Sequence, residues 1–142
     1  MFKNIVIPVD LSDKQSIKVV FPPALNFVNA FDAKIHLVHI MPDFGMKVLE
    51  DYLPRNWMKD QKEKYKVLFD ELIAKYVPEG VEVEFSVGRG AIYDEVINYS
   101  EKVNADLIML SAVRPQFKDY MLGPNASKIV RHSSISVMVI RD

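Results

Sequence analysis

Cysteine is absent from the 142 residues, so the chain has no disulfide and no thiolate to serve as nucleophile or metal ligand. Net charge is nearly absent as well. Eighteen Lys and Arg against 19 Asp and Glu leave a formal −1, which gives no pull towards nucleic acid or anionic lipid. No apolar stretch approaches the roughly 20 residues that cross a bilayer. The opening run Ile5-Val6-Ile7 is too short for a signal peptide and has Pro8 and Asp10 behind it. Cytoplasmic residence, with no membrane and no nucleic-acid partner, is the expectation. Neither a Walker-type Gly-Lys-Ser nor a Gly-x-Ser-x-Gly elbow is present. The three histidines, His36, His39 and His132, have no metal-ligand spacing, and His36 and His39 point to opposite faces if their segment is a strand.

What is present is an ordinary globular composition, 49% hydrophobic and 26% charged. The length suits one domain over residues 1–142, large enough to bury about two thirds of its unfolded surface. Four short apolar runs read as strands buried on both faces of a parallel sheet: 2–9, 34–40, 106–110 and 137–141. A fifth, 81–87, alternates and is expected at a sheet edge.

Helical patterns lie between these runs. The clearest covers 59–77, where Tyr65, Leu68, Phe69, Leu72, Ile73 and Tyr76 recur at helical spacing opposite a Lys/Glu face. Shorter ones cover 92–103 and 126–132. The first, about 13–31, is capped by Ser12 or Asp13 and carries Pro22-Pro23 in its middle, where a kink or a break is expected. Residues 41–57 read as a long loop. The order β-α-β-α-β-α-β-α-β predicts a single-domain, Rossmann-like open five-stranded parallel sheet with helices on both faces.

In such a sheet, ligands bind beyond the carboxyl ends of the strands at the switch in strand order. The residues collected there are Pro8, Val9, Asp10, Leu11 and Ser12; His39, Ile40 and Met41; Gly88, Arg89 and Gly90; and Ser111 to Pro115 with the loop to Gly123-Pro124-Asn125. Asp10 is placed either to accept from a ribose hydroxyl or to help cap the first helix. Arg114, Lys118 and Lys128 lie near a glycine-preceded helix N-terminus that favours an anion, although ordinary surface cations are the simpler reading. Gly88 and Gly90 either admit a ligand to the backbone or form a strand-to-helix turn, and the turn is the simpler reading. Asp94-Glu95 is expected on a solvated helix face.

These pieces, taken in order, resemble the universal stress proteins. Ile5-Val6-Ile7-Pro8-Val9-Asp10 is similar to that family's first strand, and Leu37-Val38-His39-Ile40 to its second. Residues Ala105 to Ser111 resemble its fourth strand. Gly123 to His132, followed by Val137 to Ile140, resemble its last helix and strand. Arg114-Pro115 and Leu122-Gly123-x-Asn125-Ala126 bring the likeness nearest the F/G-type subgroup.

The resemblance implies the adenine nucleotide alpha hydrolase-like fold. It also implies a homodimer through the C-terminal strand, which closes an otherwise open apolar edge. For one branch of the family it implies ATP, held by Gly-x-x-Gly, nine residues, then Gly-Ser or Gly-Thr. Here Gly123 matches the final glycine and Pro124 replaces the Ser or Thr. Ser111 stands nearest the first glycine, and Val113-Arg114-Pro115 occupies the second in a loop one residue shorter.

By carry-over, Pro8, Val9 and Asp10 meet the adenosine, and Ile40 offers backbone groups to adenine. Ser111, Arg114, Gly123, Asn125 and Ala126 line the ribose and phosphate path. The expectation is a regulatory homodimer in the stress response. It binds ATP, or ADP or AMP, with or without Mg, and acts through an unidentified protein partner. The alternative is a dimer of the same fold without nucleotide. An enzyme is not expected, since no general base or Walker-type metal site is visible, although slow ATP hydrolysis or autophosphorylation is left open.

Overall fold

The computed structural model describes residues 1–42, 52–112 and 123–142. The elements are β1 (Asn4–Pro8), α1 (Lys14–Phe31), β2 (Lys34–Pro42), α2 (Trp57–Tyr76), β3 (Val83–Gly90), α3 (Ile92–Lys102), β4 (Leu107–Ser111), α4 (Pro124–His132) and β5 (Ser136–Ile140). All ladders are parallel and the strand order is β3-β2-β1-β4-β5. β1 is central, and the chain winds one way from it to β3 and the other way from β4 to β5. The expected α/β class, strand count and edge position of β3 are all observed.

Strand alternation sorts the core into two layers. Ile5 and Ile7, Ile35 and Leu37, and Leu107 and Met109 face α1 and α2, where Phe21, Val28, Phe69 and Leu72 meet them. Val6, Val38, Ile108 and Leu110 face the other way, onto Val96 of α3 and Ile129 of α4. Because both faces are covered, the central strands read as unbroken apolar runs. Phe21 and Phe69 are fully buried, each contributing about 2–3 kcal/mol of hydrophobic burial. Phe69 also stacks on Phe85 at 4.7 Å, fixing α2 over β3. No helix among the described residues is long and apolar enough to cross a membrane.

The N-cap of α1 is Asp13, whose Oδ1 accepts from the Ser16 amide at 3.1 Å and whose Oδ2 accepts from the Ser16 hydroxyl at 2.6 Å. Of the kink or break expected at Pro22-Pro23, the break does not occur, and the helix is one element of 18 residues with both prolines inside it. Its buried stripe, Ile17, Val20, Phe21, Ala24 and Val28, continues on both sides of the prolines and clamps them into the helix. Asp32 ends α1 in the left-handed region, at φ 52°, and returns its amide to the Val28 carbonyl.

β2 runs two residues past the expected end, to Pro42, and pairs with β3 through Gly90. The remainder of the loop read over 41–57 falls largely outside the described residues. At the opposite end of the sheet, Asp106 accepts from the amides of Lys3 and Asn4, tying the start of β1 to β4.

Candidate functional site

The switch in strand order lies between β1 and β4, where one connection leaves for α1 and the other for α4. A cleft of about 680 Å³ opens there, a size usual for small-ligand sites. Pro8, Val9, Asp10, Ile40, Ser111, Gly123, Asn125 and Ala126 all line it. Arg114 and Lys118 lie outside the described residues.

The turn after β1 forms the floor of the cleft. Val9 donates its amide to the Val38 carbonyl at 2.9 Å, one rung past the strand. Asp10 then starts a tight turn, with its carbonyl accepting from the Asp13 amide at 2.9 Å. Its Oδ1 accepts from the Ser12 amide at 2.9 Å and from the Ser12 hydroxyl at 2.6 Å. This is an Asx turn, the usual reward for Asp at such a bend. Asp13, not Asp10, caps α1. Asp10 Oδ2 therefore has no partner among the described residues, and the residue is exposed at the cleft.

α4 supplies the opposite wall. Gly123 is its N-cap and Pro124 its first residue. The first position of a helix suits proline, because an amide there has no intrahelical acceptor. Only one donor is lost. The amides of Gly123, Asn125 and Ala126 remain without intrahelical acceptors at the positive end of the helix dipole. The first carbonyl, that of Gly123, is used by the Ser127 amide at 3.0 Å. Between the two walls stands Ser111, whose buried Oγ has no hydrogen-bond partner among the described residues.

Two lining residues, Lys64 and Tyr65, lack a local sequence signal for this role, whereas His39 is among the strand-end residues collected from the sequence. Lys64 and Tyr65 of α2 reach the cleft, Tyr65 from what reads as a core stripe and Lys64 from its polar flank. His39 lines it from β2. Its Nδ1 lies 3.0 Å from the Val9 carbonyl, and its ring is 4.7 Å from that of Tyr65.

Gly88 and Gly90 do not line the cleft. Gly88 makes room for Ile40: a Cβ there would stand 2.7 Å from Ile40 Cδ1. Gly90, at φ +135°, makes the turn into α3 under Glu95. Glu95 is accordingly half-buried against the β3 end, and only Asp94 of that pair is exposed.

His36 and His39 do face opposite sides of the sheet. His36 is buried against Tyr99 of α3 at 6.5 Å, with Nε2 bonded to Asn4 Oδ1 at 3.1 Å. Burial pushes the pKa of His36 down, while the Glu84 carboxylate 3.6 Å from its Nδ1 opposes that shift and Lys34 adds to it. Among the described residues no group of three or more His, Cys, Asp or Glu could hold a metal ion.

The family model described as the universal stress protein family matches residues 1–141. Universal stress protein G of Escherichia coli O157:H7 is 24% identical over 143 residues, covering 99% of this chain and all of that one. A universal stress protein of Archaeoglobus fulgidus solved in complex with dAMP superposes with a TM-score of 0.67 at 18% identity, covering 98% of each chain. Another universal stress protein, solved in complex with cAMP, gives 0.64 at 18% identity, covering 99% of this chain and 97% of that one.

Proposed function

This chain belongs to the universal stress protein family, and we propose that its cleft binds an adenine nucleotide, whether ATP, ADP or AMP. The observation that carries the reading is the meeting of two unsatisfied chemistries in one cleft. One is a carboxylate oxygen of Asp10 without a partner among the described residues. The other is the set of amides at the N-terminus of α4 that have no intrahelical acceptor. The first suits a ribose hydroxyl donor and the second a phosphate anion. The dAMP and cAMP complexes of two proteins of similar fold support adenine as the base. Ile40, buried on the α3 and α4 side of β2, offers an apolar wall to it.

A Mg ion is compatible with this site, since it is commonly held by substrate phosphates and one or two carboxylates, and Asp10 Oδ2 has no partner among the described residues. The role is regulatory, in stress adaptation in the cytoplasm. The state of the cleft is read by a partner protein, and turnover is not the output.

β5 is an edge strand with Val137, Met138, Val139 and Ile140 half-buried. An apolar edge of this kind is a template for pairing, and we assign it to a second copy of the chain. A second reading, a dimer with no nucleotide, is favoured by Pro124, which removes both the backbone donor and the hydroxyl of the Ser or Thr it replaces.

Calorimetric titration of the stripped protein with ATP separates the two readings. Saturable binding that falls at least tenfold in Asp10→Ala supports the first. No heat at millimolar ATP sinks it and leaves the nucleotide-free dimer.

A further inference from the structure

We infer that His39 is a positioning residue that locks the Asp10 turn in its binding geometry. The Val9 carbonyl lies past the last rung between β1 and β2. In place of a backbone amide it meets His39 Nδ1 at 3.0 Å. The Leu11 amide sits 3.5 Å from the same nitrogen. Val9 and Leu11 flank Asp10, so one imidazole nitrogen faces the backbone on both sides of the carboxylate-bearing residue.

The proton balance decides which contact is a bond. A carbonyl only accepts, so at 3.0 Å Nδ1 carries the hydrogen and donates it to Val9. The Leu11 amide then cannot donate to that nitrogen and is held only by proximity. The ring itself is kept in place by Tyr65, at 4.7 Å and 38°. Asp10 Oδ1 is fixed from the other direction by Ser12. The free Oδ2 is thus aimed by two independent anchors, one on the backbone before Asp10 and one on its own side chain. Nothing in the local sequence around Asp10 encodes the first anchor.

The affinity arm of the test rests on the nucleotide reading above, and the other arms do not. His39→Phe keeps a ring against Tyr65 and removes the donor. His39→Asn places an amide donor near the Nδ1 position. In ligand-free protein, His39→Phe should speed hydrogen exchange at the Ser12 amide at least tenfold, and His39→Asn should restore it. Long-range nitrogen–proton spectra of the wild-type protein should show the Nδ1–H tautomer. ATP affinity should fall about fivefold in His39→Phe, the loss of one ordering hydrogen bond. It should fall no further when His39→Phe is added to Asp10→Ala.

An Nε2–H tautomer, unchanged Ser12 exchange, or strict additivity with Asp10→Ala overturns the assignment. If wild-type protein binds no adenine nucleotide, the functional reading falls, and the tautomer and exchange results still decide the role of His39. The tautomer measurement also stands if His39→Phe does not fold.

Discussion

Placing a methyl group on Gly88 should be harmful or helpful depending on one carbon of Ile40. A Cβ at position 88 would lie 2.7 Å from Ile40 Cδ1, and its next neighbours are Glu95 atoms at 3.7 and 4.0 Å. Gly88 is not in the left-handed region, so alanine suits its backbone. Ile40 must rotate away or the strands must part. Overpacking of this kind costs about 1–3 kcal/mol, and relief by an off-rotamer χ2 brings it towards the lower end. Gly88→Ala alone should therefore destabilise by about 1 kcal/mol, after a gain of about 0.5 kcal/mol from the stiffer unfolded chain.

Ile40→Val removes the offending carbon at a cost of about 1 kcal/mol for a residue this buried. In that background Gly88→Ala should turn neutral or stabilising by about 0.5 kcal/mol, a coupling of about 1.5 kcal/mol in the double-mutant cycle. Urea unfolding of the four proteins measures it as midpoint shifts at constant slope. Equal destabilisation in both backgrounds would refute the packing argument.

Two further outcomes follow from buried polar groups. Ser111→Ala deletes a buried hydroxyl with no hydrogen-bond partner among the described residues, so the free protein should gain about 1 kcal/mol while ATP binding weakens up to about tenfold. A loss of stability in urea, or unchanged affinity by calorimetry, would contradict this. The folded pKa of His36 is lowered, so the unfolded chain takes up its proton first. Its contribution is complete above the unfolded value of about 6.5 and is lost as pH falls below it. Urea midpoints between pH 8 and 5 should show this acid-side decline, and His36→Gln, leaving Glu84, Lys34 and Tyr99 in place, should flatten it. A decline unchanged in that variant assigns it to other groups.

The fold was legible because burial on both faces leaves a plain signature. Val6 packs on α3 and α4 while Ile5 and Ile7 pack on α1 and α2, so the run has no polar break. The edge position of β3 was legible for the opposite reason, its alternation. At Pro22-Pro23 the local rule about missing donors did not end the helix, because a buried stripe of five residues, from Ile17 to Val28, continues on both sides of them. Within the site, Asp10 and Gly123 carry local turn and cap signals. The bond between His39 and Val9 joins residues 30 apart and has no local signature. Lys64 was equally silent, because which turn of α2 stands at the sheet's rim depends on how the helix docks and not on its periodicity.

The central place of β1 also sets a calendar for the molecule's birth. As the chain leaves the ribosome, β1, β2 and β3 with their helices emerge first, and one side of β1 waits bare until residue 107 arrives to pair with it. Domains of this size generally fold as units in step with synthesis. The cleft needs Asp10 from the turn after β1 and Gly123 from the start of α4, 113 residues later. A nascent or truncated chain therefore has nothing to offer a ligand that needs both walls.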